Sequence, residues 1–295
     1  MTLFGYTMMC EQAGPKQLVR DVVLAEEAGF DFAVISDHYF PWLDSQGHSP
    51  YAWSVLGAAA QATERIPLMT YVTCPTRRYH PAVVTQKAAT MQLLSDGRFT
   101  LGLGAGENLN EHIIGGRWPL VGVRHEMLDE AVQVIRALWA GGYVTFRGKH
   151  FDVESARIWD LPEAAPPIGI AVSGPASCRL AGRYADVMIA VEPRVQLGEM
   201  FDRGGGANRT DCQRDRSAFR TEKTADKPLR SFLPDHKGCG RFAEQLLHYR
   251  FERPAIGGRF FERPVRLDRF RGTHGHDRFG SRPQRLIEPF EHARP

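Results

Sequence analysis

Five stretches of the sequence place polar and aromatic side chains directly after an apolar run, where a β/α barrel exposes its chemistry. Ser36, Asp37, His38 and Trp42 follow the run FAVIS, within SDHYFPW. Tyr71 and Val72 open the turn TYVTCPT, and Glu107 and Asn110 stand in GAGENLNE. Ser173, Gly174 and Pro175 form SGP, and Glu192 and Arg194 flank a proline in EPR. One such position would mean little, whereas five at successive strand ends converge on one mouth. An Asp-His pair suits acid–base work, with Asp37 holding His38 in one tautomer and the other ring nitrogen free to act as base. The same pair also reads as a turn with a satisfied imidazole. Glu107 follows Gly102, Gly104 and Gly106, and small residues let a backbone or a ligand come close. It also reads as an acid favoured at a helix N-terminus. SGPAS ahead of a helix offers free N–H groups, a cradle for phosphate. Trp42 taken alone reads as core.

Other motifs carry less. GLGAG is GxGxG rather than GxGxxG and falls after the fourth β/α unit, so a Rossmann dinucleotide site is rejected. Arg77 and Arg78 precede a helix and read as a solvated loop. No metal site is expected: no CxxC or clustered Cys/His pattern is present, and His274 and His276 form only an isolated HGH. Cys10, Cys74, Cys178, Cys212 and Cys239 read as free thiols in a reducing compartment.

The elements that position these residues alternate in type. Strands are predicted at Leu3–Thr7, Phe32–Ser36, Leu68–Val72, Phe99–Gly104, Ile168–Val172 and Asp186–Val191. A helix starts at Pro15, suited to the first turn, and Gly29 closes it. Further helices are predicted over about 51–62, 82–94 and 124–139, with a short one between the last two strands. The 124–139 helix sets Leu128, Ala131, Ile135 and Leu138 in one stripe. Tyr143–Val153 reads as a hairpin turning near Gly148. Six β/α units in line predict a parallel sheet, and their count points to a (β/α)8 barrel missing its last two units.

The chain has 295 residues, which suits one large α/β domain and a core that needs no staples. The formal net charge of +3 hides a break. Residues 1–200 carry 16 Lys and Arg against 21 Asp and Glu, and the remainder carries 21 against 13. After Phe201 the β/α pattern stops, and 18 Arg stand against 3 Lys. This divides the chain into a barrel portion, 1–202, and an Arg-rich, poorly ordered tail, 203–295. Within the tail FERP occurs twice, and only Arg241–Tyr249 looks helical. A nucleic-acid arm is one reading of the arginines, but it is the weaker one, so nucleic acid is not an expected partner. Out-of-frame translation of a GC-rich gene fits the composition better. An open six-unit barrel would expose two strand edges, which predicts a poorly stable chain. No membrane partner is expected, because no window approaches the roughly 18 apolar residues of a span. The N-terminus lacks a signal-peptide pattern, so a cytoplasmic protein is expected.

SDHYFPW, GAGENLNE, PTRRYHPAV and AVSGPASCRLAGRYAD together resemble the luciferase-like (LLM-class) oxidoreductases that use the deazaflavin coenzyme F420. The likeness covers about residues 1–202 and is greatest to the branch that oxidises glucose 6-phosphate. It implies a TIM-type barrel with the deazaflavin in its carboxyl-end mouth, and hydride transfer between an alcohol or sugar-type small molecule and that cofactor. His38 would take the hydroxyl proton, Trp42 would position substrate and stabilise charge, and Glu107 would protonate the reduced ring. Asp37 falls in the family's Asp-His pair and Asn110 on a cofactor contact. Tyr71–Val72 falls on a non-proline cis bond that backs the ring. Ser173, Gly174 and Pro175 fall on the loop at the cofactor's phosphate side. The likeness departs at Val191 and Arg194, where the dehydrogenase branch has Thr and Lys for the sugar phosphate; Arg194 remains a substrate-binding candidate. An FMN-dependent monooxygenase of the same superfamily is the alternative. An inactive truncated barrel or a basic binding protein is the second. Homodimers are common in the family, so a homodimer is expected.

Overall fold

A computed structural model describes residues 3–192, 194–206, 219–222 and 248–250. In chain order it opens with β1 (Gly5–Met8), α1 (Pro15–Glu27), β2 (Phe32–Ile35), α2 (Ala52–Ala62), β3 (Leu68–Thr70) and α3 (Pro81–Leu94). Next come β4 (Phe99–Leu103), α4 (Asn108–Glu111), α5 (Val121–Trp139), β5 (Val144–Arg147) and β6 (Asp152–Ala156). β7 (Ile168–Ala171), α6 (Pro175–Tyr184), β8 (Val187–Ala190), α7 (Val195–Phe201), β9 (Phe219–Glu222) and β10 (His248–Arg250) complete the series. The chain divides into two units, Met1–Pro254 and Ala255–Pro295, and every described residue lies in the first.

The main sheet runs β1-β2-β3-β4-β7-β8-β9-β10. Every pairing from β1 through β9 is parallel, and β10 returns antiparallel to β9. Register is continuous: Val34 lies between Thr7 and Met69, and Ile170 between Leu103 and Met188. The six predicted strands are thus six of the seven strands in this parallel run, which forms a half-barrel. β5 and β6 form the predicted hairpin as a separate ladder.

Local sequence explains these elements. Pro15 begins α1, where its missing N–H costs no hydrogen bond, and Leu18, Val22 and Ala25 are its buried stripe. All four residues of β2 are buried, as a strand covered on both faces requires. α5 buries Leu128, Ala131, Ile135 and Leu138, the stripe read from spacing. Two apolar layers result. Phe32, Val34, Met69, Val187 and Ile189 cluster together, while Met8, Ile35, Leu101 and Ile170 join the helices in a larger cluster.

Three expectations change. The β8 edge is not open, because β9 pairs with it in parallel at Ile189–Phe219 and Ala190–Arg220. The pattern also continues past Glu192 as α7, which the sequence reading left without an element. The helix expected over 241–249 is overturned at His248 and Tyr249, which lie in β10; residues 241–247 lie outside the described residues. Most of the Arg-rich tail, both FERP copies, Cys212, Cys239 and the HGH pair lie outside the described residues too. Cys10, Cys74 and Cys178 are free and buried. Among the described residues no helix is long and apolar enough to cross a membrane.

Candidate active site at the carboxyl end of the sheet

His38 leaves the end of β2 and its Nδ1 lies against Oε1 of Glu11, on the segment leaving β1. Glu11 is fully buried. Its second oxygen accepts the Ser36 hydroxyl at 2.9 Å, and Ser36 Oγ accepts the Cys10 amide at 3.2 Å. Burial raises the Glu11 carboxyl, but the hydrogen bond and charge of His38 outweigh it and hold it below the usual carboxylate range. A carboxylate at Nδ1 leaves Nε2 as the proton-accepting nitrogen. Trp42, half-exposed, sets its ring edge-on to the imidazole, with centroids 5.3 Å apart.

The expected Asp37–His38 partnership is not formed. Asp37 is 2% exposed, and both carboxylate oxygens are taken by other protein donors. Oδ2 accepts Thr73 Oγ1 at 2.7 Å and Trp53 Nε1 at 3.1 Å. Oδ1 accepts the Tyr79 hydroxyl at 3.1 Å and Arg78 Nη2 at 3.2 Å. The predicted cofactor role of Asp37 therefore has no unengaged side-chain oxygen behind it.

Arg78 is likewise not a solvated loop residue: its side chain is only 8% exposed. Besides Asp37, its Nε faces Glu111 Oε1 at 3.4 Å, and its backbone N–H donates to Glu111 Oε2 at 2.7 Å. Burial pushes the Glu111 carboxyl up, against the pull of Arg78. Burial lowers the Arg78 guanidinium, but Asp37, Tyr79 and Glu111 more than offset this and hold it up. Two cations lie over the Tyr79 ring, Arg78 at 4.6 Å and Lys87 at 3.5 Å from its centroid. Burial and the Asp37 charge push its hydroxyl far up, which keeps it a donor.

At β3 and β4 the peptide Tyr71–Val72 is cis, the geometry implied by the resemblance. Tyr71 reaches across the mouth to the Ala190 carbonyl at the end of β8, at 3.5 Å. Gly102, in β4, and Gly104, just after it, both stand where the protein packs closely. A Cβ on Gly102 would sit 1.9 Å from the Thr70 carbonyl oxygen, and one on Gly104 would sit 2.5 Å from Val72 Cγ2. Glu107 is exposed at the N-cap of α4, so its carboxylate is available at the mouth. Asn110 is buried, and its Oδ1 accepts the Tyr39 and Phe40 amides at 2.8 and 3.2 Å. That oxygen clamps the His38 turn.

The β7 turn also departs from expectation. The Ser173 and Gly174 amides are not free, since both donate to Ser177 Oγ, at 3.0 and 3.2 Å. The remaining donors are the Ala176 and Ser177 amides, which in the first turn of α6 have no intrahelical acceptor. Pro175 supplies none. Arg194 is exposed and its guanidinium is engaged by Glu192. Sequence reasoning missed Glu11 and misread Arg78. Glu11 stands at the end of β1, and the strand-end rule applied to that strand finds it.

The geometry has counterparts. The luciferase-like monooxygenase family model matches residues 2–209. An F420-dependent glucose-6-phosphate dehydrogenase of Beutenbergia cavernae is 47% identical over 189 residues, covering 64% of this chain and 56% of the relative. One from Microbacterium testaceum is 48% identical over 183 residues, covering 62% and 54%. The chain thus spans just over half the length of these relatives. A solved F420-dependent secondary alcohol dehydrogenase, in complex with an F420-acetone adduct, superposes with TM-score 0.67 at 36% identity, covering 69% of this chain and 63% of that one. By the extent of the family match and the half-barrel that carries it, this chain belongs to the luciferase-like monooxygenase family.

Proposed function

We propose that this chain is a cytoplasmic oxidoreductase that transfers hydride between a hydroxyl-bearing small molecule and coenzyme F420, acting as a homodimer. The observation that carries the reading is His38, held at Nδ1 by the buried Glu11 carboxylate and placed at a strand end beside Trp42. The likeness to F420-dependent relatives supports the choice of cofactor over FMN.

The residues present fit such a cofactor. A Cβ at Gly104 would meet Val72 Cγ2 at 2.5 Å and Ala171 Cβ at 3.8 Å, so the turn here is a close-packed backing against which the ring would lie. The first-turn amides of α6 supply donors and a positive dipole end for a phosphate. Tyr71, Val72 and the Ser173-Gly174-Pro175 turn would hold the group, with Asp37 and Asn110 supporting them from behind. When bound, the deazaflavin supplies the hydride acceptor. His38 Nε2 then takes the hydroxyl proton, and Glu11 stabilises the imidazolium. Trp42 flanks the imidazole and shields that proton transfer. Glu107, exposed at the same mouth, is the second proton-handling group. Glu192 neutralises Arg194, which favours a neutral alcohol over a sugar phosphate at the β8 turn.

The test is to supply the purified chain with oxidised F420 and a panel of secondary alcohols and glucose 6-phosphate, following loss of deazaflavin absorbance. Alcohol-dependent reduction that disappears in His38→Ala is expected. Binding of F420 without reduction by any hydroxyl substrate contradicts the reading.

A further inference from the structure

We propose that Arg78 is a positioning residue that locks the turn carrying His38 to α4, the helix whose N-cap is Glu107. The proposal deepens the reading above, from which it takes the roles of those two groups. His38 lies between two residues that are both tied down. On one side, Asp37 gives Arg78 Nη2 its carbonyl oxygen at 2.6 Å and its carboxylate at 3.2 Å. On the other, the Tyr39 amide is held by Asn110 Oδ1 at 2.8 Å. Arg78 grips α4 as well, through the Glu111 carboxylate. The amides of Asn110 and Glu111 both return to the Glu107 carbonyl at 3.1 Å. Arg78 therefore connects the backbone next to His38, through Nη2, with the helical turn next to Glu107, through its backbone N–H and the Nε ion pair to Glu111.

The lock needs arginine. Its planar fork presents Nη2 to Asp37 while Nε faces Glu111, two directions that a lysine ammonium on one stem cannot serve together. The surroundings hold the fork in place. The Tyr79 ring lies beneath it, its hydroxyl on Asp37, and the Lys87 ammonium lies on that ring as well as near those of Tyr51 and Trp53. Two buried carboxylates thus sit with two cations, and Arg78 is the cation that touches both carboxylates. Arg98 is the internal control. It too is a partly buried arginine with several acceptors, at the Ala60, Thr63 and Ile66 carbonyls and Thr63 Oγ1, but it stands at the opposite end of β4.

The experiment compares the full chain with Arg78→Lys, Arg78→Met and Arg98→Lys by hydrogen–deuterium exchange, melting and turnover. Arg78→Lys keeps the charge, so it remains readable if Arg78→Met does not fold. In Arg78→Lys, exchange is expected to rise together in peptides covering 37–43 and 107–114, and turnover to fall about 100-fold, the scale of a roughly 1 Å misplacement, with F420 affinity retained. Arg98→Lys should leave both peptides and turnover unchanged. Exchange that stays at wild-type level in either peptide, or rises equally in Arg98→Lys, overturns the proposal. So does a lowered melting temperature with full turnover. If wild-type chain neither binds nor reduces F420, the functional reading fails, and the exchange comparison still decides the lock.

Discussion

The carboxylate of Glu11 faces Nδ1 of His38 across the β1–β2 boundary, while Asp37, its sequence neighbour, serves a separate buried network. The acid that orients the base is therefore distant in sequence. Glu11→Gln should lower turnover about 100-fold, within the range of general acid–base contributions, and leave F420 bound. His38→Ala should abolish turnover with the cofactor still bound. Steady-state kinetics beside a binding titration check both, and full turnover in Glu11→Gln would remove Glu11 from the mechanism.

A second prediction concerns pH and lies away from the mouth. The Glu26 carboxylate accepts the amides of Glu64, Arg65 and Ile66 at 3.1, 2.6 and 2.7 Å, tying α1 to the entry of β3. Slight burial raises the carboxyl, but the amides prevail and hold it below its ordinary value. A depressed carboxylate stabilises the fold above its unfolded pKa, and that contribution is lost as pH falls through the folded value. Glu26→Gln should cost about 1 kcal/mol at neutral pH, a hydrogen-bond figure kept small because the site is exposed. Urea melts over a pH series should show the difference from wild type shrinking once the pH drops below about 4.

Gly102, in β4, and Gly104, just after it, should behave differently. Gly102→Ala drives a methyl against the Thr70 carbonyl, which belongs to the sheet and cannot move alone. It should cost about 3 kcal/mol, the upper end for overpacking, read by denaturant melting. Gly104→Ala meets the end of the Val72 side chain, which can shift. That variant should stay folded and lose cofactor affinity, because the displaced Val72 side chain belongs to the proposed backing of the ring.

Where the determinants are local, the fold was legible. Pro15 and the Leu18-Val22-Ala25 stripe set α1, and the four apolar residues of β2 read as a fully covered strand. The half-barrel followed from the order of such units. The site was legible by position and less so by partnership. His38, Trp42 and Glu107 come to the mouth as read. Asp37 and Asn110 arrive there too, but long-range partners take up both Asp37 carboxylate oxygens and Asn110 Oδ1. Arg78 looked solvated because the carboxylates that bury it, Asp37 and Glu111, lie on other β/α units. Spacing along one segment carries no trace of such contacts. The Ser173 and Gly174 amides were misread for a smaller reason: Ser177, within the same motif, caps them.

The central claim is that the mouth at His38 accepts a deazaflavin. The direct measurement is a fluorescence titration of the purified chain with F420, beside an identical titration with FMN. The account predicts saturable binding of F420 and none of FMN. Saturation by FMN alone, or by neither, would contradict it.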